Sequence, residues 1–206
     1  LDNTTGANNT AVGYLALGNN TTAAGNSAVG YKALEDCTTG HSNAGSGAYA
    51  LSNVTTGDKN TAIGYSAGAR VTSENEFTAV GYYAGLYATS GGNTFVGEAS
   101  GTGVDGSSSG ASNTAIGRNT LFAFTTGAYN VAMGKDAGIS VTSGSENVYI
   151  GLKAGNDGTT GNNNTAVGSN AGIGLTTGGN NTLLGNDAGR SGSPGGEVNN
   201  DNHKIC

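Results

Sequence analysis

The segment Asn60-Thr61-Ala62-Ile63-Gly64-Tyr65 returns, with small changes, throughout the chain and occurs eleven times in all. Its glycine is present in every copy, and successive copies lie 17 residues apart except for one interval of 16 and one of 20. A short motif that returns at a fixed interval is typical of a solenoid, in which each repeat forms one coil and stacks on the next. We count positions from this anchor glycine, so that Ile63 is position −1 and Tyr65 is position +1. The anchors are Gly13, Gly30, Gly47, Gly64, Gly81, Gly97, Gly117, Gly134, Gly151, Gly168 and Gly185.

Each repeat is predicted to form short β-strands rather than helices. Gly, Asn and Thr dominate the unit, and its apolar residues lack the spacing of about 3.6 residues that a helix requires. We expect a first strand from position −4 to +1, a second strand from +7 to +9, and turns between them. Parallel pairing between coils, at about 4.8 Å per step, then gives an all-β parallel β-solenoid roughly 50 Å long, built from about eleven coils of 17 residues.

Three positions carry most of the pattern. Position −4 is Asn in ten repeats, and we expect its amides to hydrogen-bond along the rod, as stacked amides do in cross-β assemblies. Position −1 is aliphatic or Met in ten repeats, and we expect it to point inward or into a subunit interface, together with the mostly apolar position +7. The asparagines are Asn9, Asn26, Asn43, Asn60, Asn93, Asn113, Asn130, Asn147, Asn164 and Asn181. The −1 residues are Val12, Val29, Ile63, Val80, Val96, Ile116, Met133, Ile150, Val167 and Leu184. Position +7 holds Cys37, Val54, Val71, Ala88, Val104, Phe124, Val141 and Leu175.

The repeat divides the chain into two regions. Residues 1–190 are predicted to form the rod, with an irregular coil at 98–116 in which three extra residues fall within 104–110. Residues 191–206 are predicted to be a connector rich in Gly and Asn. We expect it to lead into further sequence, because neither end of the repeat carries the cap that a solenoid needs.

The composition excludes several classes of protein. Leu, Ile, Val and Phe together number 33 of 206 residues, too few for the core of an ordinary enzyme of this length. Eight Lys and Arg against fourteen Asp and Glu leave a net charge of −6 and no basic cluster, which argues against nucleic acid as a partner. No stretch approaches the roughly 20 apolar residues of a membrane span, so we expect no membrane insertion.

Two of the repeats resemble a known family. Asn130-Val131-Ala132-Met133-Gly134 and Asn147-Val148-Tyr149-Ile150-Gly151 are similar to the core motif of trimeric autotransporter adhesin heads. The commoner unit, Asn-Thr-Ala-Val-Gly-Tyr-x-Ala-Leu followed by Thr-Thr-Gly, resembles repeats in the tail fibres of marine and cyanobacterial phages still more closely. The resemblance implies a left-handed β-roll that forms a homotrimer around a threefold axis, located in a virion tail fibre or, alternatively, on a cell surface. It also implies attachment to a host glycan or protein receptor.

Motifs that suggest catalysis lack their structural context. Residues 64–68 and 106–110 match the G-x-S-x-G nucleophile motif, but that motif needs a strand, a turn and a helix, together with a positioned His. Residues 101–106 match a dinucleotide fingerprint without a βαβ unit around it. Cys37, His41, His203 and Cys206 do not have zinc-ligand spacing. We therefore expect no catalysis, no cofactor and no metal.

Position +1 is the most suggestive surface feature. Tyr14, Tyr31, Tyr65 and Tyr82 occupy it in four of the first five repeats, where stacked rings would either bind sugars or simply pack against one another. The Thr pairs that follow position +7 also suggest ice binding. However, adjacent residues of a strand point to opposite faces, so a Thr-Thr pair does not place both hydroxyls on one plane.

Overall fold

The computed structural model describes residues 3–190, and this range contains eleven three-residue β-strands and no helix. The strands form one parallel sheet in which each strand pairs with the next along the chain, in the order β1 to β11. The predicted all-β parallel β-solenoid is therefore confirmed. The strands are β1 (Thr10–Val12), β2 (Ser27–Val29), β3 (Ala44–Ser46), β4 (Thr61–Ile63), β5 (Thr78–Val80), β6 (Thr94–Val96), β7 (Thr114–Ile116), β8 (Val131–Met133), β9 (Val148–Ile150), β10 (Thr165–Val167) and β11 (Thr182–Leu184).

Equivalent residues of successive coils lie directly above one another. The register holds even across the irregular coil, where Thr94 of β6 pairs with Thr114 of β7 over a 20-residue interval. The extra residues are pushed outward, since 104–107 are exposed and Ser108 bridges Ala88 of the previous coil. The eleven strands therefore span about 48 Å along the rod.

The anchor position requires glycine. Gly64 has a φ of 132°, a region that side chains disfavour, and a Cβ placed there would lie 2.4 Å from the carbonyl oxygen of Gly81. The clash would be with backbone, so no side-chain movement would relieve it. This close approach explains why glycine stands at the anchor in every coil.

The second strand that we expected at positions +7 to +9 does not form in residues 3–190, so this part of the prediction is wrong. The backbone N–H groups of Thr38, Thr39 and Gly40 all converge on one acceptor in the next coil, the carbonyl of Thr55, each at 3.1 Å. A strand ladder pairs each donor with its own acceptor, whereas three donors on one carbonyl bend the chain into a turn. The coils are nevertheless joined by backbone hydrogen bonds here.

The inward position of each strand is −2, not −1, which corrects the expectation that the −1 residues point into the coil. Ala62 is fully buried, whereas its neighbour Ile63 is 48% exposed on the outer face. Successive residues of a strand face opposite sides, so only one of the two can point inward. Position −2 points inward whether it is small, as in Ala62, or large, as in Phe95 and Tyr149, and the −1 residue lies outside.

Position +7 is buried with one exception. Cys37 and Phe124 are fully buried, as expected, but Val104 is 44% exposed. Val104 lies in the outward bulge, and Ser108 takes its place inside, where its hydroxyl donates to the carbonyl of Phe124 at 2.9 Å. The predicted inward role of Val104 is therefore wrong, because the insertion shifts the register of this segment by four residues.

Positions −2 and +4 share the remaining space inside the coil. Where −2 is large, the adjacent +4 residues are Gly: a Cβ on Gly155 would lie 2.3 Å from the ring of Tyr149, and one on Gly138 would lie 3.0 Å from it. Where +4 is Leu, the neighbouring −2 residue is small, as in Leu34 beside Gly45. The exchange of Leu for Gly at +4 therefore compensates for changes of volume at −2.

Candidate interaction surfaces

The −1 side chains form an apolar row along the outer face of the sheet. Val29, Ile63 and Met133 are 43%, 48% and 42% exposed, and in-register pairing places each in line with the next. The −3 residues, mostly Thr, run parallel to this row on the same face. Ser46 is the one polar residue of the −1 row in residues 3–190. The single chain thus exposes a row of aliphatic side chains about 48 Å long.

The asparagines at −4 join neighbouring coils. Asn147 is representative: its Oδ1 accepts the backbone N–H of Asn164 at 2.9 Å, and its Nδ2 donates to the carbonyl of Gly161 at 2.8 Å and to Oδ1 of Asn130 at 3.0 Å. Phe77 interrupts the row, because its side chain has no oxygen to accept a backbone N–H from the coil that follows. The amides satisfy buried backbone groups, so this row stabilises the rod.

The threonine pairs divide into an inner and an outer residue. At position +8 the hydroxyl of Thr125 donates to the carbonyl of Thr142 in the next coil at 3.0 Å, and Thr142 repeats the contact with Thr159 at 3.1 Å. At position +9 the side chain is exposed, as in Thr126. From Thr21 onward, the second threonine of each Thr-Thr pair is therefore the more exposed of the two.

Six tyrosines form a connected row on the surface of the first five coils. They are Tyr14, Tyr31, Tyr49, Tyr65, Tyr82 and Tyr83. Two pairs of successive +1 rings stack face to face, each with centroids 5.5 Å apart and interplanar angles of 14° and 18°. Ala48 breaks the +1 series, and Tyr49 at +2 fills the gap edge-on, 5.3 Å from Tyr31 and 5.9 Å from Tyr65.

Sequence reasoning missed Tyr49 and Tyr83, although both follow position +1 directly in the chain. The sequence contains a signal for Tyr49: Ala48 stands where the neighbouring repeats have tyrosine, and a tyrosine follows it directly. Burial raises the pKa of Tyr49, and a hydrogen bond with Tyr83 raises that of Tyr82. The row is compatible with both packing and sugar binding, because the rings contact one another and yet remain partly exposed.

The residues that suggested reactive chemistry are held by ordinary backbone contacts. Ser66 is nearly buried in a left-handed turn with a φ of 52°. Nδ1 of His41 accepts the backbone N–H of Ala24 at 3.0 Å, and the backbone N–H of His41 donates to Asp58 Oδ1 at 2.6 Å. Burial raises the pKa of the Cys37 thiol to about 11. Within residues 3–190, no three His, Cys, Asp or Glu side chains are grouped so as to hold a metal ion.

The other motifs lie in the bulge or beyond the described range. In the second G-x-S-x-G match, Ser108 is buried and its Oγ accepts the backbone N–H of Val104 at 2.6 Å. His203, Cys206 and the predicted connector 191–206 lie outside the described residues. No helix among residues 3–190 is long and apolar enough to span a bilayer.

Comparison with known proteins identifies no relative. No protein-family model matches the chain, and no curated protein or solved structure matches it either. The surfaces described above and the resemblance of the repeats are therefore the features that bear on the function of the chain.

Proposed function

We propose that this chain is the rod segment of a homotrimeric fibre, a non-catalytic structural element that mediates attachment to a host surface. The observation that carries the proposal is the outward aliphatic row at position −1. A soluble monomer rarely exposes a contiguous apolar patch larger than a few hundred Å², and such patches mark sites of association. A row about 48 Å long and about 7 Å wide, the two-residue rise along a strand, covers roughly 300 Å² and reaches that size.

A second and third copy of the chain are the partners that fit this row best. The row repeats in register at every coil, so the aliphatic side chains of parallel copies can align coil by coil. Each buried side chain of this kind adds about 1.5–3 kcal/mol at full burial. The resemblance to trimeric adhesin heads supports a threefold arrangement.

A phage tail fibre is the setting we favour over a bacterial adhesin head. The 17-residue interval and the threonine at −3 depart from the adhesin motif and match the phage repeats better. In such a fibre the rod holds its contacts away from the virion, and many weak equivalent contacts add through multivalency. We place the protein on the virion or, in the adhesin alternative, on the cell surface.

Light scattering coupled to size exclusion tests the proposal on the 206-residue chain. We expect a mass three times the 20.0 kDa of one chain. Ile63→Lys places a charge in the −1 row and is expected to give monomers with an unchanged circular dichroism spectrum. Thr56→Lys, on the exposed +9 position, is the matched control and is expected to leave the trimer intact. A folded wild-type monomer would contradict the proposal.

The same sheet face favours ice binding as a second candidate function. Threonine at −3 and the aliphatic residue at −1 form two parallel outward rows, for example Thr114 and Ile116, that repeat about every 4.8 Å. In seven of the eleven strands this arrangement places one threonine hydroxyl and one branched side chain on the same face, which the Thr-Thr pairs do not. Ice binding requires the face to be free, and trimer formation buries it. Thermal hysteresis from a monomer, abolished by Thr114→Lys, would favour this candidate.

A further inference from the structure

A groove opens on the surface of three neighbouring coils, at the centre of the tyrosine row. It has a volume of about 340 Å³, at the small end of the range for ligand sites, which suits a monosaccharide or disaccharide. Two aromatic rings, a hydroxyl, an amide and a guanidinium contribute to its walls. The residues that matter are Tyr49, Ser52, Asn53, Tyr65, Arg70 and Leu86.

Several departures from the repeat converge on this groove. Ala48 replaces tyrosine at +1, and Tyr49 is displaced to +2, where it meets Tyr65 at an interplanar angle of 79°. The tyrosine row is thus bent where the groove lies, whereas successive +1 rings elsewhere stack nearly parallel. The rod does not require the bend, since it forms equally well in coils without tyrosine. Local departures from a repeat that do not serve the fold are expected at functional sites.

The bulge of the irregular coil reaches the same place. Arg70 occupies position +6, and its Nη2 lies 4.0 Å from Oδ2 of Asp105 in the bulge. Both side chains are more than half exposed, and an exposed ion pair at this distance holds its partners weakly. The guanidinium and carboxylate are therefore available to bond the hydroxyls of a ligand. The insertion places a carboxylate beside the groove that a regular coil would not supply.

We propose that this groove binds a neutral pyranoside, the C–H face of the sugar against the exposed parts of Tyr49 and Tyr65 and its hydroxyls within reach of Arg70 and Asn53. Partly exposed aromatic rings beside polar side chains suit a sugar, which is apolar on its C–H face and polar around its edge. Asp105 offsets the charge of Arg70, and the chain has a net charge of −6, so an acidic sugar is disfavoured. The proposal rests on the proposed attachment function and specifies its ligand class.

Saturation-transfer difference NMR on the 206-residue chain tests the proposal. The probes are the methyl glycosides of glucose, galactose and mannose, with methyl glucuronide as the acidic comparator, each at millimolar concentration. We expect at least one neutral glycoside to receive saturation. Tyr65→Ala and Arg70→Ala are each expected to reduce the effect by about tenfold. Tyr129→Ala removes an exposed tyrosine outside the row and is expected to leave it unchanged.

Three results would overturn the proposal: no transfer to any neutral glycoside, transfer to the glucuronide alone, or transfer that survives in both groove variants. If Tyr65→Ala alters the circular dichroism spectrum, Arg70→Ala decides, because its side chain lies at the surface. Light scattering on the same samples separates this proposal from the fibre proposal. A monomer that binds sugar refutes only the trimer, and a trimer that binds none refutes only the groove.

Discussion

Replacing Asn147 by alanine measures how much the buried asparagine row stabilises the rod. The side chain is fully buried, and its bonds reach both the preceding and the following coil. Alanine removes all of them without disturbing the strand. The substitution therefore tests whether this small core depends on its polar side chains.

The magnitude follows from the groups left without partners. The backbone N–H of Asn164 loses its acceptor, and the carbonyl of Gly161 loses the amide that donates to it. Oδ1 of Asn130 retains the backbone N–H of residue 147, at 3.0 Å. Each buried group left unsatisfied costs about 1–3 kcal/mol, so two of them lower the free energy of unfolding by about 2–6 kcal/mol.

Asn162→Ala is the matched control. Asn162 is exposed, and its Oδ1 accepts the backbone N–H of Ser145 at 2.7 Å, also from one coil to the next. Water replaces this bond when the side chain is removed, so the expected loss is at most about 1 kcal/mol. Each variant removes an asparagine side chain that links two coils, and the two side chains differ in how deeply they are buried.

Urea unfolding followed by circular dichroism gives the stabilities, and amide hydrogen exchange gives the local effect. We expect the amide of Asn164 to lose protection in Asn147→Ala. Equal midpoints for the two variants would refute the reasoning, because burial would then contribute nothing. If Asn147→Ala fails to fold, Asn9→Ala provides the measurement. Asn9 makes equivalent bonds in a partly exposed setting, so its expected loss lies between those of the other two.

Two further predictions concern the core. Gly155→Ala is expected to destabilise the rod by about 1–3 kcal/mol more than Gly106→Ala in urea unfolding. Both residues have positive φ, but a Cβ on Gly155 meets the ring of Tyr149, whereas one on Gly106 meets nothing within 4 Å. Similar losses of stability in the two variants would refute the packing argument. Burial raises the pKa of Tyr149 above its ordinary value of 10.0. The stability that comes from burying the neutral phenol is therefore complete below pH 10 and is lost as the pH rises above it. Between pH 8 and about pH 11, the urea midpoint of Tyr149→Phe is expected to fall less than that of the wild type. Equal falls in the two midpoints would contradict this.

The repeat interval predicted the fold because it sets the distance around one coil and needs no knowledge of side-chain direction. The face of each strand was harder to predict. Ala62 and Ile63 are both apolar, so alternation alone does not say which of them points inward. Bulk favoured Ile63, yet Ala62 is the buried residue, and large side chains such as Leu51 at +4 share the interior with it. Which side chains share the interior depends on how successive coils stack, and that is a tertiary property.

The tyrosine surface was predicted in part for a similar reason. Position +1 is evident in the sequence, but the sequence does not show that a ring at +2 lies beside it. Tyr49 has a φ of 61°, and this left-handed turn places its ring in line with Tyr31 and Tyr65. The contact of Arg70 with Asp105 depends on how the bulge folds. Both features arise from backbone conformations that the residue types alone do not specify.

The rod and its surface are encoded at different positions of the repeat, and this separation bears on where function lies. Inside the coil, a large residue at −2 is accompanied by Gly at the adjacent +4 positions, so these two inner positions are not large at the same time. Position +1 carries no such constraint: it is Tyr in four of the first five coils and then becomes Glu98, Arg118 and Lys135 without any change of register. The side chain at +1 can therefore differ from coil to coil along one rod while the register of the sheet stays the same. The proposed attachment function therefore predicts that recognition occurs in the first five coils, where the tyrosines and the groove lie.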